Sequence, residues 1–246
     1  MIKPAQRLND IKEYYFSTKL KEISELNRRG KNIINMGIGN PDLSPPENVR
    51  NALEKATKER GSHKYQPYKG INQLRISISD FYRKNYNILL NHDENILPLI
   101  GSKEGIMHIS LAFLNKGDKV LIPNPGYPSY KSITKLVGAE PLFYPLLEKN
   151  NWFPDLDSLK LLVSDNVKLM WINYPNMPTG KNSNIEFFKK IYDFAVSNDI
   201  LVVNDNPYSF ILNENPLSFL SVDSGFDYCL ELNSLSKSHN MAGWRV

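Results

Sequence analysis

The sequence predicts an α/β fold: a mostly parallel sheet flanked by helices on both faces. Three observations carry that expectation. Apolar runs of strand length recur along the chain, amphipathic stretches of helical length separate most of them, and neither an internal repeat nor a Gly/Ser-rich linker interrupts the alternation. With 246 residues, 41% hydrophobic and 11% aromatic, the chain is long enough for one large α/β domain, or for one domain and a small appendage.

The elements follow in chain order. Between positions 8 and 29, Ile11, Tyr14, Tyr15, Leu20, Ile23 and Leu26 fall near helical spacing and Gly30 supplies a stop, which predicts an N-terminal helix. An apolar run at 33–38 breaks into Gly39-Asn40-Pro41-Asp42, and a second helix is expected over 46–59. Strands are expected at 96–100, 119–122, 168–172, 200–203 and 228–232, separated by segments such as 186–197 with helical periodicity. Their nearly continuous apolar character is that of parallel strands covered on both faces.

Composition narrows the function. Thirty Lys and Arg against 26 Asp and Glu leave a formal charge of +4 with no basic block, so nucleic acid is not an implied partner, while an anionic small molecule is compatible. Cys229, the single cysteine, excludes an internal disulfide, suits a reducing compartment, and is expected as a small buried apolar group in a strand. The first residues are charged throughout, and no apolar run reaches the roughly 18 residues of a membrane span. The expectation is a soluble, cytoplasmic protein. His63, His92, His108 and His239 show no metal-ligand spacing, no GxGxxG follows a strand, and there is no serine nucleophile elbow.

In open α/β sheets ligands sit beyond the carboxyl ends of the strands. Five expected strand ends carry polar or aromatic groups here: Gly101-Ser102-Lys103-Glu104-Gly105, Pro123 to Pro128 with Tyr127, the stretch Asn173-Tyr174-Pro175-Asn176-Met177-Pro178-Thr179-Gly180, Asn204-Asp205-Asn206-Pro207-Tyr208, and Asn233-Ser234-Leu235-Ser236-Lys237. Singly, each has a plain structural explanation. Ser102 suits an N-cap and Tyr127 a packed turn aromatic. Asp205 suits a turn and Lys237 the surface, while His239 suits a local structural role.

Jointly they resemble a known family. Ser234-Leu235-Ser236-Lys237 with Arg245 eight residues on, Asp205-Asn206-Pro207-Tyr208 upstream and Pro178-Thr179-Gly180 before that are similar, in order, to the class I/II aminotransferases of pyridoxal-phosphate (PLP) fold type I. Lys64-Tyr65-Gln66-Pro67-Tyr68-Lys69-Gly70 with the 101–105 segment resembles the branch containing LL-diaminopimelate aminotransferase. The resemblance implies that Lys237 carries PLP as a Schiff base and moves the α-proton, that Asp205 pairs with the pyridine nitrogen, and that Tyr208 donates to the phenolic oxygen. It implies that Tyr127 stacks on the ring, that Ser102, Lys103, Ser234 and Arg245 hold the phosphate, and that Gly39 lies against the substrate carboxylate. Tyr65 would reach the phosphate of a neighbouring subunit, giving a homodimer with shared sites.

The same resemblance divides the chain into an N-terminal helix and arm at 1–44, part of a small domain, and a large PLP-binding domain at 45–246. Related enzymes continue past the position of Arg245 into another strand and a domain bearing the arginine that clamps the substrate carboxylate. The large domain is therefore expected to be incomplete, with unpaired strand edges. One position departs from the family pattern: Met177 stands where an asparagine donates to the phenolic oxygen, and Asn176 or Asn173 is the expected substitute. The expected reaction moves an amino group from an amino acid to a 2-oxo acid. A carbon–sulfur β-lyase and a catalytically silent binding protein stand as alternatives on the same fold.

Overall fold

The computed structural model describes residues 2–9, 15–37, 39–223 and 225–246. Ile11, Tyr14 and Ile38, used in the sequence expectations, lie outside them. A 3-10 turn at Gln6–Leu8 leads into the span of the expected N-terminal helix, within which helix α1 occupies Tyr15–Arg28, after which Gly30 adopts φ +78°. Helix α2 (Glu47–Lys58) starts directly after Pro46, close to its expected bounds. No described residue before Arg75 is buried, so the packed body of the protein begins with helix α3 (Asn72–Tyr86).

The remainder alternates strand and helix: α4 (Ser102–Phe113), β1 (Lys119–Asn124), α5 (Pro128–Leu136), β2 (Glu140–Pro145), α6 (Leu156–Lys160), β3 (Val167–Ile172), α7 (Ile185–Asn198), β4 (Leu201–Asn206), β5 (Cys229–Asn233) and α8 (Leu235–Ser238). All five strands are parallel, in the order β2-β1-β3-β4-β5. The chain leaves β1 toward one edge and returns on the other side to β3, which makes the β1/β3 boundary a topological switch point.

Two expectations about strands need correction. The run at 96–100 joins no sheet: no described strand lies beside it, and a strand exists only through the hydrogen bonds of a neighbour. Leu97 and Ile100 are instead exposed, at 61% and 67%, and the outer edge of β5 has no partner among the described residues. Conversely, β2 adds a strand where none is expected, with prolines at 141 and 145. Among the described residues it lies at the sheet edge and pairs with β1 alone, where missing N–H donors are tolerated.

Side-chain alternation builds the two layers. Val120, Ile122, Leu169, Trp171, Val203 and Leu232 face one way and pack with Ile106 of α4 and Tyr130 and Ile133 of α5. Leu121, Met170, Ile172, Val202 and Cys229 face the other way, against α7. That helix presents Phe187, Phe188, Ile191, Phe194 and Ala195 at i, i+3, i+4 spacing, and the Asn184 side chain caps it by accepting from Phe187 N at 2.7 Å. The same parity decides where polar residues go. Asp205 shares the face of Val203, toward α5, whereas Asn204, Asn206 and Glu231 share the opposite one.

Candidate active site

Asp205 lies at the end of β4 and is 6% exposed. Its Oδ2 accepts from the Tyr130 hydroxyl at 2.7 Å, while Oδ1 is buried and without a partner among the described residues. Burial pushes the carboxyl up to about 6, and the Tyr130 hydrogen bond works in the opposite direction. A buried carboxylate oxygen left open in this way is costly unless something positive or donating meets it.

The turn after β3 closes on the same strand end. Asn173 donates from Nδ2 to the Asp205 carbonyl at 2.6 Å and accepts the Met177 N–H at 2.7 Å. Asn176 donates to the Asn173 carbonyl at 3.2 Å, and its Oδ1 takes the Thr179 hydroxyl at 2.7 Å and the Thr179 N–H at 3.3 Å. Each asparagine thus keeps one amide hydrogen beyond the bonds that shape the turn. Met177, between them, contributes its backbone N–H to the turn and has no side-chain donor.

Tyr127 follows β1 and occupies the N-cap position of α5, whose first residue is Pro128. Its ring meets Tyr130 edge-on at 5.6 Å, and Tyr130 in turn stacks on Trp171 at 5.1 Å with a 5° interplanar angle. Tyr208 sits in the turn after β4, where its carbonyl accepts from Ile211 N at 2.9 Å.

A second group forms where α4 begins. Gly101, not Ser102, is the N-cap residue, at φ +84° and without a side-chain cap, so Ser102 and Lys103 form the first turn of the helix. The Glu104 carboxylate reaches back to Ile100 N. A Cβ at Gly101 would fall 2.3 Å from Nη2 of Arg245, which shows how closely that guanidinium approaches the helix start. Arg245 is steadied by Nη1 donating to the Ala242 carbonyl at 2.9 Å. Ser234 caps α8 through Ser236 N at 3.1 Å, and its Oγ lies 2.9 Å from the Val246 carbonyl. Backbone N–H groups at a helix start, a guanidinium and a hydroxyl together suit a phosphate.

Lys237 lies on α8 and donates to the Gly39 carbonyl at 2.6 Å. Burial lowers its pKa below the ordinary lysine value. His239 pairs locally, with Nδ1 2.8 Å from Ser238 Oγ. Tyr65 and Tyr68 are fully exposed on the segment before α3. The buried Arg75 anchors the end of that segment, donating to the Lys69, Gly70 and His92 carbonyls and to Asp93.

These residues fit PLP on observations of this structure: an open buried carboxylate oxygen for a protonated ring nitrogen, a lysine with a depressed pKa, and an arginine against an uncapped helix start. Sequence reasoning missed Tyr130 and Glu231. Tyr130 sits three residues beyond Tyr127, the spacing that places two side chains on one side of a helix, and that signal was available. Glu231 is the one charge in the apolar run Cys229–Asn233. Its carboxylate accepts from Tyr82, Ser218, Asn204 and Phe219 N, at 2.9, 2.9, 3.1 and 3.0 Å. Among the described residues no group of three or more His, Cys, Asp or Glu is placed to hold a metal, and no helix is long and apolar enough to cross a membrane.

Known proteins are similar to this chain in sequence and fold. The family model for aminotransferase class I and II matches residues 31–246. LL-diaminopimelate aminotransferase of Dehalococcoides mccartyi is 39% identical over 247 residues, covering 100% of this chain and 64% of its own length. The enzyme of the same name from Halothermothrix orenii is 40% identical over 244 residues, covering 98% of this chain and 63% of its own. Among solved structures, apo-BacF of Bacillus subtilis superposes with a TM-score of 0.93 at 35% identity, covering 100% of this chain and 63% of that one. A single mutant of Thermus thermophilus aspartate aminotransferase gives a TM-score of 0.91 at 26% identity, covering 100% of this chain and 63% of that one. The chain thus spans a little under two thirds of the length of the relatives it matches.

Proposed function

Because the chain belongs to the class I and II aminotransferase family, we propose that the whole protein is a PLP-dependent aminotransferase that moves an amino group from an amino acid to a 2-oxo acid. The observation that carries this reading is Asp205, a buried carboxylate with one oxygen tied to Tyr130 and the other open. PLP supplies an electron sink for the α-carbon of a bound amino acid, provided its ring nitrogen is kept charged.

The chain's own residues then have distinct tasks. Asp205 holds the positive charge on the ring nitrogen. Lys237 is the covalent attachment point and, once displaced by substrate, the base that carries the α-proton. Its depressed pKa serves both tasks, since only the neutral amine attacks a carbonyl or takes a proton. Ser102, Lys103, Ser234 and Arg245 bind the phosphate, Tyr127 covers one face of the ring, and Tyr208 donates to its phenolic oxygen. Asn176 acts at the same oxygen with its remaining amide hydrogen, and Gly39 borders the substrate carboxylate.

Tyr65 completes the phosphate site of a second subunit in a homodimer, a role supported by its full exposure on a segment anchored through Arg75. Residues 1–44 serve as an arm and part of a small domain, and 45–246 as most of the large one; the arm reading is supported by the absence of buried residues among the described part of 1–44, while burial begins at Arg75, inside the second segment. A cytoplasmic setting suits the lone, buried thiol of Cys229.

The experiment is an amino-transfer assay on the full-length protein with PLP. LL-diaminopimelate, named in the relatives above, is the first donor to try, with 2-oxoglutarate as acceptor. Glutamate should form only when both are present. Release of pyruvate and ammonia from a cysteine-type substrate without an acceptor would overturn the reading in favour of a lyase.

A further inference from the structure

We propose that Tyr130 is a positioning residue for the transfer reaction: its hydroxyl ties back Oδ2 of Asp205 so that Oδ1 is left for the cofactor ring, while its own ring backs Tyr127. This rests on the cofactor role proposed for Asp205 and adds a residue that touches two of the expected ring contacts at once.

The geometry carries the argument. Tyr130 has no exposed surface. One face lies flat on Trp171 of β3, the Tyr127 ring abuts it edge-on, and its hydroxyl reaches Asp205 at 2.7 Å. A tyrosine ring has two rotatable side-chain bonds, and packing from two directions leaves neither free. The hydroxyl is therefore a fixed donor. It remains protonated because burial raises its pKa well above the usual value. A phenylalanine would fill the same stack without burying a polar atom, so packing does not require the hydroxyl; the hydrogen bond to Asp205 is what offsets its burial.

The groups that meet Asp205 are Tyr130 from α5, at the carboxylate, and Asn173 from the end of β3, at the backbone carbonyl. Burial drives the carboxyl toward its neutral form, and the Tyr130 hydroxyl opposes this. Without that hydroxyl the group would spend more of its time protonated and would be free to rotate. Tyr130 thus acts on orientation and charge together, through Asp205 and not by touching substrate.

The test uses the full-length protein carrying Tyr130→Phe, 3-fluorotyrosine at position 130, or Asp205→Asn. In the cofactor-free form with carbon-13-labelled aspartate carboxyls, the signal lost in Asp205→Asn identifies Asp205. Its titration midpoint should rise by about one pH unit or more in Tyr130→Phe and fall with the more acidic fluorinated donor. With PLP bound, Tyr130→Phe should lower kcat by about tenfold or more, leave KM within about threefold, and move the visible pH titration of the cofactor. An Asp205 midpoint unchanged by both Tyr130 replacements would overturn the inference. A moved midpoint with a cofactor spectrum indifferent to both Tyr130→Phe and Asp205→Asn would sustain the Tyr130–Asp205 pairing and overturn the cofactor role of Asp205.

Discussion

The Lys237 ammonium donates to the Gly39 carbonyl at 2.6 Å, tying α8 to a turn 198 positions earlier in the chain. The bond holds the ammonium form in place, while partial burial disfavours that form and prevails, leaving the pKa below the ordinary lysine value. Capture of PLP by the full-length apoprotein should therefore accelerate with pH through a midpoint below that of a free lysine, as followed by stopped-flow absorbance. Borohydride reduction and peptide mapping should then find the cofactor on Lys237. Label on any other lysine would remove this residue from its proposed role.

Asp205 makes a prediction about stability with a definite sign. Its carboxyl titrates at about 6 in the folded chain, against an ordinary 3.8. A raised value means that its stabilising contribution is fully present below about pH 4 and is lost as pH rises through about 6. The difference of roughly two units corresponds to about 3 kcal/mol. In the cofactor-free protein, Asp205→Asn should flatten this part of the pH–stability curve and be the more stable form above pH 6, while transfer activity falls by about a hundredfold or more. Urea midpoints measured from pH 4 to 7 provide the check; parallel curves would mean that the carboxyl is not held in a desolvated site.

Gly101 supports a third prediction. Its φ of +84° disfavours any side chain, and a Cβ there would displace the Arg245 guanidinium from the start of α4. Gly101→Ala should cost about 1 kcal/mol or more in stability through backbone strain alone. PLP affinity should fall by more than stability accounts for, roughly tenfold, because a charge-assisted phosphate contact is lost. Fluorescence titration with PLP, set beside thermal unfolding, separates the two effects.

Much of the fold was legible because strands of a parallel sheet that are covered on both faces stand out as apolar runs, and β5 at the sheet edge keeps enough of that character to be read as well. Lys119–Asn124, Val167–Ile172, Leu201–Asn206 and Cys229–Asn233 start within a residue of expectation and end within three. The failures lie where a strand depends on its neighbours. The run at 96–100 has the right composition and no partner, while Glu140–Pro145 has two prolines and a partner that tolerates them. The strand-end residues could likewise be picked out by position. What sequence did not show was the tie between Asp205 and Tyr130, 75 residues apart, which depends on the packing of α5 over Trp171.

The last prediction concerns Met177, where the family pattern has an asparagine. The turn around it is built without a donor from this side chain: Met177 N goes to Asn173 Oδ1, and Asn176 spends its carbonyl oxygen on Thr179. A thioether offers the phenolic oxygen of PLP no donor, so on the proposed reading a second donor beside Tyr208 comes from the remaining amide hydrogen of Asn176 or Asn173. Restoring the family donor with Met177→Asn in the full-length protein should lower the midpoint of the visible pH titration by roughly one to two units, the equivalent of one hydrogen bond to a charged oxygen. It should also tighten substrate binding. Asn176→Ala should raise the same midpoint if that amide supplies the donor, and should in any case destabilise the turn by about 1–2 kcal/mol through loss of its Thr179 bonds. A stability loss with an unmoved midpoint would assign Asn176 to the turn alone. If neither substitution moves the titration, the turn after β3 does not touch the cofactor, and residues 173–177 serve only to shape the strand end.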